Sequence, residues 1–427
     1  MPNHATMPTQ PDRAIRSWDI FCTVIDNYGD IGVCWRLARQ LAQEHGHAVR
    51  LWVDDLASFA RLAPGLDTAA PEQALAGVTI RPWQRPDQES AQASAARFAG
   101  VTPHDAVIES FGCDLPETFL AAMAACEPRP AWINLEYMSA EPWVREHHGM
   151  ASPHPRLPLV KHFFFPGFEP GTGGLLREAM LGMQREHLRT SPAARAALWH
   201  RLGFQPVDGA LKVSLFAYPN PALPALLAQW QNGPEPVQCL VPAGLAALQA
   251  SEWFGAAGCA PGSVFARGNL VVQVVPFVRQ EHYDELLWLC DLNFVRGEDC
   301  LLGGRWAGRP FVWHIYPQAD AAHMVKLDAF LALFLQRLER SGQIEVANAL
   351  SSFWHSWNKD EEAPDWPRLR AHLPVLGAIT EQWQRSLQHL GDLAANLVAF
   401  CENCAVCRQS RQSAFAIPNS ETYFFRK

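Results

Sequence analysis

The feature that most constrains this chain is a repeated alternation of short apolar runs rich in β-formers with segments of helical period. That order points to an α/β fold, with parallel sheets covered by helices. WDIFCTVI (18–25) reads as a buried strand, IGVCWRLARQLAQEHG (31–46) as an amphipathic helix closed by Gly46, and HAVRLWVDD as the next strand, which makes a βαβ unit. Further strands are expected at DAVIESFG (105–112) and AWINLEY (131–137). A stretch containing Pro142, Pro153, Pro155, Pro158, Pro166 and Pro170 then predicts long surface loops leading toward a domain boundary. A second series follows at LKVSLFAY (211–218), VQCLVPAG (237–244), LVVQVVPFV (270–278), DLNFV (291–295) and FVWHIY (311–316), with a helix at YDELLWLC (283–290).

Two such series imply two domains with a ligand cleft between them, outside the carboxyl ends of the strands. The division expected is a flexible leader at 1–17, a first domain at 18–190, a second at 191–400 that includes Trp-, Leu- and Phe-rich terminal helices, and an unassigned tail at 401–427. With 427 residues, 48% of them hydrophobic, each domain can bury a core. The net charge of -8 disfavours a nucleic-acid partner, which a basic face would have to hold. The sequence has no apolar run of about 18 residues and no apolar signal core near its start, so a cytoplasmic location away from membranes is expected.

Of the 11 cysteines, Cys22, Cys34, Cys239 and Cys290 lie inside apolar runs, where a reduced thiol acts as a small hydrophobe. Cys401, Cys404 and Cys407 have a spacing that metal sites also use, but no fourth ligand of the usual kind is near, and no metal site is expected.

Two segments carry the candidate chemistry. Asp26, Asn27, Tyr28, Gly29 and Asp30 stand where the first strand turns into the first helix. Glycines there let backbone N–H groups approach a bound group, while the two carboxylates are unsuited to holding phosphate. Asp30 as a helix N-cap and Asp26 as a turn holder is the plainer account of the pair. The G-x-G-x-x-G dinucleotide fingerprint is absent, only Gly29 and Gly32 being available.

Arg296, Gly297, Glu298, Asp299 and Cys300 follow a predicted strand in the second series. Arg296 can neutralise a diphosphate there, Glu298 can accept from ribose hydroxyls, and the N–H groups opening the next helix can hold phosphate oxygens. A surface salt bridge is the alternative for Arg296. Phe216, Tyr218, Phe277, Gln280 and Tyr316 lie at or just past strand ends of the same series. Aromatics can stack on a base and Gln280 can read its edge, though singly such aromatics are more often core.

The motifs DNYGDIGVCWRLARQLA, NLEYMSAE, KHFFFPGF, GGLLRE, FAYPN, PFVRQ, RGED and WAGRPFVWHIYPQ together resemble the elongation-factor-P arginine rhamnosyltransferase family, from about Trp18 to near Phe400. The resemblance implies a GT-B fold of two Rossmann-like domains facing across a cleft. It implies dTDP-β-L-rhamnose as donor, no cofactor or metal, and inverting transfer of rhamnose onto an arginine of elongation factor P. It makes Asp30 the leading catalytic carboxylate, Asp26 a supporting acid, and Glu298 a residue needed for activity. It places Phe277 against thymine, Gln280 on its edge, and Phe216 and Tyr218 along the nucleotide pocket. Arg296, Tyr316 and Cys300 would hold the diphosphate, with Glu298 and Asp299 contacting ribose or ordering the loop. Where the family has a serine after RGED, this chain has Cys300, a weaker donor. A protein of this fold that only binds the nucleotide, or an epimerase acting on a nucleotide sugar, is the competing reading.

Overall fold

The computed structural model describes residues 14–26, 28–318, 321–359 and 363–414, with side chains up to residue 404. The first lobe contains β1 (Ser17–Cys22), β2 (Ala48–Val53), β3 (Gln73–Leu75), β4 (Val78–Pro82), β5 (Ala106–Ser110), β6 (Ala131–Leu135), β7 (Ala151–Pro153) and β8 (Val160–Phe164). They form one sheet in the order β3-β4-β2-β1-β5-β6-β8-β7, parallel except for its two edge strands. The second lobe contains β9 (Leu211–Leu215), β10 (Val237–Pro242), β11 (Val264–Arg267), β12 (Leu270–Val275), β13 (Leu292–Arg296) and β14 (Phe311–His314). Their order is β11-β12-β10-β9-β13-β14, with only β11 antiparallel.

β5, β6, β10 and β13 are buried along their whole length, because helices cover both faces of a parallel sheet. Their unbroken apolar runs follow from this. In each sheet the chain leaves its first strand in one direction and later returns to the other side of it. β1 lies between β2 and β5, and β9 lies between β10 and β13. Ligands gather at such switch points, and the segments after β1, β9 and β13 all carry expected site residues. Two doubly wound lobes meeting at these ends make the GT-B arrangement.

Several local outcomes differ from the sequence reading. The first strand ends at Cys22 because the next backbone groups bond to side chains: Val24 N–H donates to Asp54, and Ile25 and Asp26 N–H donate to Asp30. The helix Gly29–Gln43 stops short of Gly46, which takes a left-handed φ of 68° in the turn to β2. That helix is not half-exposed: Arg36 and Gln40 are buried with its apolar face, since the second lobe packs on its outer side. The proline-dense segment contains the antiparallel pair β7 and β8, with Pro153 on the edge strand, where a missing N–H is tolerated.

The division of the chain is also less linear than expected. The leader is not free up to residue 17, because Ile15 is buried and Ser17 opens β1. Helix Leu181–Thr190, assigned to the first domain, leans on helix Gln280–Leu289 of the second lobe. The last helix, Leu393–Ala414, crosses the boundary expected at 400 between the second domain and the tail, and it packs on helix 29–43 and β6 of the first lobe. Phe400 anchors it in aromatic contact with His148, His162 and Phe164, and apolar burial at this surface decides where the helix lies. Cys401 is buried at this contact and the Cys407 side chain lies outside the described residues. Among the described residues no helix is long and apolar enough to cross a membrane.

Candidate functional site

On the first lobe, Asp30 is the second residue of helix 29–43, and its carboxylate turns back over the preceding loop. Oδ2 accepts from the N–H groups of Ile25 at 2.7 Å and Asp26 at 2.8 Å, and Oδ1 accepts from the Tyr137 hydroxyl at 2.9 Å. Three donors fix its direction. It is not the N-cap, a position held by Tyr28 without a side-chain cap bond. Burial and the neighbouring Asp30 hold the Tyr137 phenol far above its usual range, so it remains a donor. Stacking on Phe111, with ring centres 4.3 Å apart, holds the Tyr137 ring.

Asp26 projects across to the second lobe. Its Oδ2 accepts from the Tyr218 hydroxyl at 2.5 Å, while Oδ1 is buried with no hydrogen-bond partner among the described residues. Burial pushes this carboxyl up, with Tyr218 and Arg296 pulling the other way. Two glycines make room for it. A Cβ at Gly29 would lie 2.8 Å from Asp26 Oδ2 and one at Gly297 would lie 2.5 Å away, and Gly297 also has a left-handed φ of 58°. Asn27 lies outside the described residues.

On the second lobe, β13 delivers Arg296 to the head of helix Gly297–Ala307. Its guanidinium carbon lies 4.4 Å from the Phe216 ring centre, 4.6 Å from Tyr218 and 5.7 Å from Tyr28. Aromatic faces therefore hold the cation. The salt-bridge alternative for Arg296 does not occur among the described residues. Beside it, burial and Arg296 depress His314 to about 3, so that ring is neutral, and burial pushes the Cys300 thiol far up. Tyr316, 41% exposed, packs edge-on against Tyr218 at the rim.

Between the lobes lies a cavity of about 350 Å³ lined by Asp26, Asp30, Gly297, Glu298 and Tyr316 among others. Glu298 forms an ion pair with Lys326, of helix Ala322–Arg340, whose ammonium also lies 5.1 Å from the Tyr137 ring centre. Burial pushes Glu298 up while Lys326 opposes the shift. Glu136, Tyr137, Trp143 and Lys326 line the same cavity and were not singled out from the sequence. The motif NLEYMSAE contained the signal for the first two. Nothing local marks Lys326.

The expected base pocket is a separate, tight site of about 30 Å³ walled by Tyr28, Phe216, Phe277, Gln280, Asp299 and Cys300. Here the Tyr28 ring lies on Phe277, with centres 4.9 Å apart, and the Arg61 guanidinium lies 4.9 Å from the Phe277 ring centre. Two expected ligand contacts are otherwise engaged. The Gln280 amide donates to the Gly32 carbonyl at 2.8 Å and accepts from Arg39 at 2.7 Å, so its polar edge holds helix 29–43 rather than facing the pocket. Asp299 accepts from Arg36 at 3.1 Å, and Arg36 also pairs with Glu178 and Asp284. A fully buried guanidinium needs counter-charges, and Asp299 supplies one of them to Arg36. Burial pushes Asp284 up to about 6 despite that arginine.

A sequence profile for the family described as Elongation-Factor P (EF-P) rhamnosyltransferase EarP matches residues 18–402. The protein-arginine rhamnosyltransferase of Pseudomonas putida KT2440 is 46% identical over 389 residues, covering 91% of this chain and 99% of that protein. Its counterpart in Pseudomonas aeruginosa PAO1 is 45% identical over 385 residues, covering 90% and 98%. A solved structure described as the structural basis for EarP-mediated arginine glycosylation of translation elongation factor EF-P matches with a TM-score of 0.63 and 37% identity, over 91% of this chain and 99% of that one. The matched span takes in both lobes and every wall of the cleft, so the chain belongs to the Elongation-Factor P (EF-P) rhamnosyltransferase EarP family and is, like those relatives, a protein-arginine rhamnosyltransferase.

Proposed function

We propose that the enzyme takes L-rhamnose from dTDP-β-L-rhamnose and attaches it, with inversion at the anomeric carbon, to one arginine of elongation factor P. The observation that carries this reading is the opposition of charges across the cleft. Asp26 and Asp30 line the cavity from the first lobe, while Arg296 stands behind its second-lobe wall at the head of a helix, next to Gly297 and held against Phe216 and Tyr218.

In this reading the diphosphate lies against Arg296 and the first N–H groups of helix 297–307, with Tyr316 and Cys300 beside it. As the bond from the anomeric carbon to the diphosphate oxygen breaks, negative charge gathers on the leaving dTDP, where these donors stabilise it. The acceptor guanidinium, with a pKa above about 12, binds as a cation between the carboxylates. Its nitrogen forms the new bond from the opposite face of the sugar, and the proton it loses passes to Asp30 as the C–N bond forms. Glu298 lies near both partners. The thymine stacks on Phe277 once Tyr28 gives up that face, and Gln280 reaches the base edge only after releasing Gly32.

Incubating the enzyme with elongation factor P and dTDP-L-rhamnose and mapping the product by mass tests the reading. A gain of deoxyhexose size on an arginine supports it. Donor turnover without modified acceptor indicates an epimerase, and nucleotide binding with neither indicates a binding protein.

A further inference from the structure

The cavity between the lobes collects the carboxylates of Asp26, Asp30, Glu136, Glu141 and Glu298, and among its lining residues Lys326 is the one lysine or arginine. Its ammonium pairs with Glu298 Oε1 and lies 5.1 Å from the face of Tyr137, whose hydroxyl donates to Asp30. A single side chain of the second lobe thus touches one candidate catalytic carboxylate directly and the other through a single ring. We propose that Lys326 is a positioning residue of the transfer reaction, fixing the Glu298 carboxylate opposite Asp30 and bracing the Tyr137 ring that bears on Asp30.

The physical need for such a group follows from the surroundings. The Glu298 and Lys326 side chains are only 12% and 21% exposed, so water screens neither well. Glu298 faces Asp30 from helix 29–43, the Met138 backbone N–H from the loop after β6, and Lys326 from helix 322–340, with Glu136 and His323 on the same cavity wall. Removing the ammonium leaves carboxylates facing one another in a poorly solvated space, which drives protonation and reorientation of the weaker-held one. Asp30 has three donors and stays in place. Glu298 has Lys326 as its charged partner and is the group that moves.

The inference rests on the proposed reading, in which Glu298 acts as a carboxylate, and two measurements keep them apart. The first is the pH dependence of kcat for arginine transfer by wild type, Lys326→Met and Lys326→Arg, with dTDP affinity measured in parallel. Lys326→Met should lower kcat near neutrality by about tenfold or more and move the acidic limb upward by about one pH unit or more, because losing a close opposite charge raises a carboxyl. Its dTDP affinity should stay within about threefold, a small change on the free-energy scale. Lys326→Arg, which keeps the charge, should return the limb to its wild-type position. An acidic limb that does not move in Lys326→Met overturns the proposal, including the case where that variant merely melts earlier.

The second measurement does not depend on an acceptor. In urea unfolding, Lys326→Met, Glu298→Gln and the double variant should show midpoint shifts that do not add, as contacting partners do. Shifts that add overturn the pairing even if wild type modifies no arginine, an outcome that would sink only the function reading.

Discussion

The two pockets of this enzyme are built on opposite principles. The cavity around Asp30 is roomy, about 350 Å³, and sets five carboxylates and Lys326 among aromatic walls, whereas the pocket beside Phe277 is about 30 Å³ and has Asp299 as the one charged side chain in its lining. In the first, Asp30 is held by three donors of its own lobe and Glu298 is paired with Lys326 of its own, while Asp26 reaches across to Tyr218 and Glu298 also meets the Met138 N–H of the first lobe. In the second, contacts between lobes fill the site: Tyr28 on Phe277, Gln280 on Gly32, and Asp299 on Arg36. Asp30 is thus set in advance by bonds within its lobe, while the pocket beside Phe277, the proposed place of the base, is filled by contacts between the lobes. On the proposed reading, the residues that bridge the lobes here are the ones a nucleotide would have to displace.

The comparison predicts unequal responses to mutation. Asp30→Asn should have the largest effect, a loss of transfer on the order of 10²–10⁴-fold, the range that a positioned acid–base group contributes. Single-turnover assays check this, and near-normal turnover would remove Asp30 from the chemistry. Arg36→Met should act on stability instead, because it strands Asp284, Asp299 and Glu178 without their cation. Breaking a buried pair from one side costs about 3–5 kcal/mol, readable by urea unfolding. The sign with pH is fixed by Asp284, which burial raises to about 6 even with the arginine present. A raised carboxyl favours the folded state when protonated, so the deficit of the variant should grow as pH rises through and beyond about 6 and shrink toward pH 4. A deficit that does not change with pH would mean the cluster does not carry the charge assigned to it.

Much of this architecture was legible because parallel strands buried on both faces must be apolar throughout, as AVIES at β5 and VQCLVP at β10 nearly are. β8 escaped because VKHFF places Lys161 and His162 in the strand, next to an edge and inside a run of prolines. The site residues divide in the same way. Asp26, Glu298 and Tyr316 line the cavity, since each follows a strand that ends there, while Arg296, the last residue of β13, stands behind that wall against Phe216. Asp30 resembled an N-cap by local rules, but its partner Tyr137 is 107 positions away. Gln280 and Asp299 carry the right chemistry for a nucleotide, yet Gly32 and Arg36, 248 and 263 positions distant, engage them. Lys326 sits in a long amphipathic helix and gains meaning only where that helix meets Glu298. Pairings across two lobes leave no periodicity in a sequence.

The division of labour between the lobes is tested most directly by titrating dTDP into Asp30→Asn and Arg296→Ala side by side. The account predicts near wild-type affinity for Asp30→Asn and a loss of about 10- to 100-fold for Arg296→Ala, the value of a charge-assisted hydrogen bond to the diphosphate. Weak binding by Asp30→Asn together with wild-type binding by Arg296→Ala would contradict it.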